Sequence, residues 1–68
     1  MNTIQRVSDL AEQRSLTLLD VATLSNIPYV TFCKARRRQS QLSVDTIERI
    51  CRGLNITMSE FFSEDAAG

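Results

Sequence analysis

Apolar residues recur along this chain at three- and four-residue steps and nowhere alternate as in a strand, so the pattern predicts helices throughout. Ile4, Val7, Leu10 and Ala11 form one stripe from Thr3 to Arg14, with Arg6, Asp9 and Glu12 or Gln13 outside it, which makes a first helix. Thr17 can accept from helical amides, Asp20 can return a bond to the Thr17 amide, and Leu16 can staple onto Val21. A second helix therefore starts near Leu18 and buries Val21, Ala22 and Ser25. Asn26, well suited to the left-handed conformation, ends it. Ile27 restarts the apolar pattern, Pro28 suits a first-turn position, and Phe32 and Ala35 supply the inner face of a third helix. Its opposite face carries Tyr29, Val30, Cys33, Lys34 and Arg37.

Arg38 to Leu42 is a short polar connection, after which Ser43 serves as N-cap, Asp45 lies in the first turn, and Leu42 and Ile47 occupy staple positions. Val44, Ile47, Ile50, Cys51 and Leu54 make the stripe of a fourth helix that Gly53 and Asn55 help to end. Thr57 with Glu60 repeats the capping box and Ile56 with Phe61 the staple, giving a short fifth helix through about Phe62. The expected organisation is one domain over residues 1–62 and a flexible tail over 63–68. Val21, Ala22, Phe32, Ile47, Ile50 and Leu54 are its expected core. Within it, helices two and three meet at a tight turn, an arrangement that can present the second of them to a DNA major groove.

At 68 residues a chain buries roughly 60% of the surface its unfolded form exposes, so the core is simple and a deep catalytic cleft is not expected. Hydrophobic content of 43%, with only two glycines and one proline, fits a compact helical bundle. The formal net charge is zero, which by itself argues against a nucleic-acid partner. The distribution changes that reading: Tyr29 to Leu42 contains Lys34, Arg36, Arg37, Arg38 and no acid, a local +4, whereas Glu60, Glu64 and Asp65 give −3 from Met58 onward. A phosphate senses charge over about 8 to 10 Å, so the local excess matters. The competing reading of the basic run is a solvated helix end whose cations offset the helix dipole.

Two cysteines and no histidine exclude most zinc and acid–base chemistry. No nucleophile–base pair, metal cluster or phosphate loop marks an enzyme, and no cofactor, metal or small-molecule ligand is expected. Cys51 falls on the apolar stripe and Cys33 on the outer side of the third helix, both as free thiols. Neither a signal peptide nor a membrane-length apolar stretch is present, so a reducing cytoplasm is the expected setting.

Leu16-Thr17, Val21-Ala22, LSNIP from Leu24 to Pro28, Thr31-Phe32, and LSVDTIERICRGLNITMSEFF from Leu42 to Phe62 together resemble the Cro and phage-repressor class of helix-turn-helix domains, also called lambda-repressor-like or XRE. The resemblance spans about Ile4 to Phe62. It implies an all-α, five-helix domain whose third helix enters the major groove, in a homodimeric bacterial or phage-type regulator at the nucleoid. By position, Tyr29, Val30 and Lys34 fall where such proteins read bases. Lys34 can donate to guanine O6 and N7, Val30 can pack on a thymine methyl, and the Tyr29 hydroxyl can reach a phosphate or base edge. Phosphate positioning falls to Thr17 with the amides starting helix two, and to Arg36, Arg37, Arg38, Gln39 and Ser40. Val44, Met58, Phe61 and Phe62 are the expected dimer surface.

The chain departs from the family pattern in several places. Leu18 stands where a DNA-docking glutamine is common, and Arg36 where an acid usually pairs with a base in helix one, a position held here by Ala11. Arg36 is left to pair with Asp9 or Glu12, or to face phosphate. Arg38 replaces a closing glycine and Leu42 a proline, so helix three runs longer or its exit loop differs. The functional expectation is a sequence-specific double-stranded DNA-binding regulator, a repressor. The alternative is a protein-interaction module, an antirepressor or accessory regulator, that docks through an apolar face around Leu18, Leu19 and Val30.

Overall fold

The computed structural model describes residues 2–63, so the expected tail lies, beyond Ser63, outside the described residues. They form α1 (Thr3–Gln13), α2 (Leu18–Ser25), α3 (Tyr29–Arg38), α4 (Val44–Leu54) and α5 (Met58–Phe61), with no strand among them. The architecture is the expected all-α one. None of these helices is long and apolar enough to cross a membrane.

The predicted caps form as hydrogen bonds. Thr17 Oγ1 accepts from the Asp20 amide at 3.1 Å while Asp20 Oδ2 accepts from the Thr17 amide at 3.0 Å, a complete capping box. Ser43 Oγ accepts from the Thr46 amide. Thr57 Oγ1 likewise accepts from the Glu60 amide, but Glu60 returns no bond, so this box is only half made. Pro28 is the N-cap of α3 rather than a first-turn residue. Its φ of −59° and ψ of 131° are extended, and the chain enters the helix one residue later than the ring alone suggested.

Helices α1 to α4 each end on a residue with positive φ: Ser15, Asn26, Gln39 and Asn55. In each case the next amide bonds back five residues, Leu16 to Ala11, Ile27 to Ala22, Ser40 to Ala35 and Ile56 to Cys51. This is the Schellman exit. Helix α3 accordingly stops at Arg38 and turns at Gln39, neither running on nor using the position where the family often has glycine.

Ile4, Val7, Leu10 and Ala11 of α1, Val21 and Ala22 of α2, Phe32 and Ala35 of α3, Ile47, Ile50, Cys51 and Leu54 of α4, and Phe61 of α5 meet in one core. Two assignments on the last two helices change. Val44 is 65% exposed and lies off the buried stripe. Phe61 is fully buried and so cannot belong to a dimer surface. Its staple position turns the ring inward, where it meets Phe62 edge-on at 5.1 Å between centroids. Met58 is half-buried, its Sδ accepting from Cys51 Sγ at 3.6 Å. Burial pushes the Cys51 thiol up, with the negative charges of Glu48 and Glu60 adding to the effect. This thiol packs rather than reacts.

Gly53 sits inside α4, one residue before its last, and does not terminate it. A Cβ there would lie 2.6 Å from Ser25 Oγ and 3.0 Å from both the carbon and oxygen of the Leu24 carbonyl. The residue lets α4 approach the end of α2. Alanine would gain about 0.5–1 kcal/mol of helix propensity from its smaller loss of backbone entropy, but overpacking against backbone costs about 1–3 kcal/mol. Gly53→Ala is expected to lower stability by about 1 kcal/mol in urea unfolding; a variant as stable as the parent would contradict this close approach.

Arg6, read from the sequence as merely outside the stripe, ties α1 to the last helix. Its Nε donates to the Phe61 carbonyl at 2.7 Å, and its Nη2 donates to the Glu60 carbonyl at 2.8 Å and to that of Ser63 at 3.4 Å. A guanidinium on the closing carbonyls of α5 offsets the negative end of that helix and fixes it over the core.

Candidate nucleic-acid interface

Helix α3 buries Phe32 and Ala35, and a 100° step per residue then turns Tyr29, Val30, Cys33, Lys34 and Arg37 outward. All five are exposed, so the outward face read from the sequence is the face observed. Val30, 51% exposed, places its methyl groups beside Lys34 one turn later. Tyr29 lines a depression of about 420 Å³ with Leu19, Ala22, Thr23, Asn26, Ile27 and Pro28, at the turn between α2 and α3. Lys34, Arg38 and Ser40 share a second depression, of about 250 Å³, with Thr31 and the start of α4 at Ser43 and Thr46. Three sequence-predicted residues thus converge on one side of α3.

The electrostatics set the cations of α3 apart from those of α4. On α4, Arg49 pairs with Asp45 at 3.2 Å and Arg52 with Glu48 at 3.4 Å. On α3, Lys34, Arg36, Arg37 and Arg38 have no carboxylate within 4.0 Å among the described residues. Arg36 in particular pairs with neither Asp9 nor Glu12. Asp9 instead accepts from Gln5 Nε2 at 3.0 Å. Dipole compensation explains cations in the last turn of α3, but it does not explain why acids are absent there while α4 pairs each of its own.

At the start of α2, the capping box already uses the Thr17 and Asp20 amides and sets a carboxylate beside them. The Leu18 and Leu19 amides remain at the helix entrance. Leu18 is half-buried against the core, whereas Leu19 is 57% exposed. The apolar face drawn around Leu18, Leu19 and Val30 therefore loses one member to the core.

Of the four residues expected at a dimer surface, Val44 and Phe62, the latter 47% exposed, stand open, Met58 is partly covered, and Phe61 is internal. Sequence reasoning missed Thr3 and Gln41. Thr3, buried at the start of α1, bonds to Gln41 and to the Leu42 amide in the loop that leaves α3. Their separation of 38 residues leaves no local pattern by which to find them.

The chain matches the family model of the Cro/C1-type HTH DNA-binding domain over residues 6–65, and it belongs to that family. No curated protein and no solved structure matched it.

Proposed function

We propose that this Cro/C1-type domain is a sequence-specific regulator of transcription, a repressor, which binds double-stranded DNA as a homodimer with α3 in the major groove. The observation that carries this reading is the set of four cations on α3 left without acids, next to an α4 whose bases are paired. Lys34 and Val30 read base edges, Tyr29 reaches a base edge or phosphate from the turn, and Arg36, Arg37, Arg38, Gln39 and Ser40 hold the backbone. At the entrance of α2, the Leu18 and Leu19 amides and the Thr17 hydroxyl, which accepts from the Asp20 amide and keeps its own proton to donate, are offered to a phosphate. Leu18 itself cannot replace the hydrogen bonds of a glutamine, so docking rests more on α3 and its exit.

A single helix reads few base pairs, and two-fold pairing doubles the site. Val44 and Phe62 are the exposed apolar residues available for that pairing. The place of action is the bacterial cytoplasm, at the nucleoid, and no catalytic role is proposed.

Selection of bound duplexes from a random pool, with mass measured in solution, tests this reading. The expected outcome is a palindromic site whose half-sites lie about 10 base pairs apart, bound by a dimer. Recovery of no preferred sequence would overturn it in favour of the protein-interaction alternative.

A further inference from the structure

The four Schellman exits are not equivalent. Three of them place an apolar residue just after the left-handed position, Leu16, Ile27 and Ile56, each buried or half-buried. That residue usually packs back on the helix it leaves and fixes the direction of the chain. At the exit of α3 the same position is Ser40, polar and exposed. The position just after the turn has no apolar anchor here; the nearest apolar residue of the loop, Leu42, is buried in the core two residues further on.

Thr3 supplies another. Its amide and its hydroxyl both donate to Gln41 Oε1, at 3.0 and 2.7 Å, while the same hydroxyl accepts from the Leu42 amide at 2.8 Å. One buried side chain thus grips the loop at two consecutive residues. Thr3 is itself fixed, because α1 is seated by Ile4 and Val7 and tied to α5 through Arg6. The loop ahead of the grip carries Gln39 and Ser40, and the helix end before it carries Arg36 to Arg38.

We propose that Thr3 is a positioning residue for DNA binding: through Gln41 and the Leu42 amide it holds the α3 exit in the geometry that its phosphate contacts require. The polar exit leaves Ser40 and Arg38 open to the DNA backbone, and the latch from α1, together with the buried Leu42 side chain, supplies the order that an apolar residue at position 40 would otherwise give. Held in place beforehand, these groups lose little freedom when they bind. The inference rests on the DNA-binding reading above.

Thr3→Val keeps the shape and removes both hydroxyl bonds, whereas Thr3→Ser restores them. Binding is read by fluorescence anisotropy on a labelled duplex that the wild-type protein enriches from a random pool, at several salt concentrations. T3V is expected to lower the magnitude of the salt slope by about one per protomer and to weaken affinity about fivefold per lost contact at physiological salt. T3S should bind as the parent does. A T3V protein that melts earlier but keeps the parental slope and affinity would reduce the latch to a structural bond and overturn the proposal. If T3V does not fold, Gln41→Ala, which keeps the Thr3–Leu42 bond, is judged by the same slope, and an unchanged value there overturns the proposal too. A wild-type protein that binds no duplex overturns the DNA reading and the latch together, whereas wild-type binding with an unaltered variant overturns the latch alone.

Discussion

Phe32→Ala is expected to leave the domain largely unfolded at physiological temperature, with no cooperative transition left in a thermal melt followed by circular dichroism. Phe32 is fully buried on the inner face of α3 and is one of the largest side chains in the core. Removing a buried phenylalanine costs about 3–5 kcal/mol in lost transfer energy and cavity. A single core in a domain this small supplies about 3–5 kcal/mol in all, so the loss equals the whole stability. The effect reaches function as well, since Phe32 and Ala35 are what turn the opposite face of α3 outward. A variant that still melts cooperatively within a few degrees of the parent would show that α3 is held by something other than this ring.

The largest effect on binding is expected from Lys34→Ala combined with Arg37→Ala. Both side chains are exposed on α3 and neither has an acid partner among the described residues, so their removal strands no buried charge and leaves the fold intact. A direct base contact by Lys34 is worth about 1–3 kcal/mol. Loss of a phosphate contact at Arg37 weakens binding about fivefold at physiological salt. Even at the low end of that range the two compound to about 25-fold per protomer, and a two-fold dimer brings the total to several hundredfold. Discrimination between the selected site and a variant of it should narrow at the base facing Lys34. Equal affinity for the parent and the double variant, both folded, would remove α3 from the interface.

Local chemistry made most of the fold readable. The N-caps at Thr17, Ser43 and Thr57, the helix ends at Asn26 and Asn55, and the apolar stripes apart from Val44 depend on residues within a few positions of one another and stand where expected, whereas Glu60 leaves its capping box half made. The outward face of α3 was legible for the same reason: once Phe32 and Ala35 point inward, helical geometry decides the rest.

What stayed hidden depends on distance along the chain. Gly53 reads locally as a helix breaker, and only the backbone of α2 lying against it shows that it marks a close approach. Arg6 reads as a solvated cation until α5 brings its carbonyls within reach. Phe61 and Phe62 are neighbours in sequence and both were expected at a dimer surface, although the staple with Ile56 already pointed Phe61 inward; the packing of α5 buries the first and leaves the second open. The exit of α3 was open between a longer helix and an altered loop, and Gln39 decides it by adopting φ 52° without being glycine. The Thr3 latch then holds a loop whose own residues give no sign of it.

On the proposed function, the unpaired cations of α3 bind DNA phosphates. The most direct test is the dependence of wild-type affinity for a selected duplex on salt concentration. With Arg36, Arg37 and Arg38 each neutralising a phosphate in both protomers, log affinity should fall linearly with log salt at a slope of about −5. A slope near zero would mean that these cations neutralise no phosphates and that α3 does not bind DNA through them.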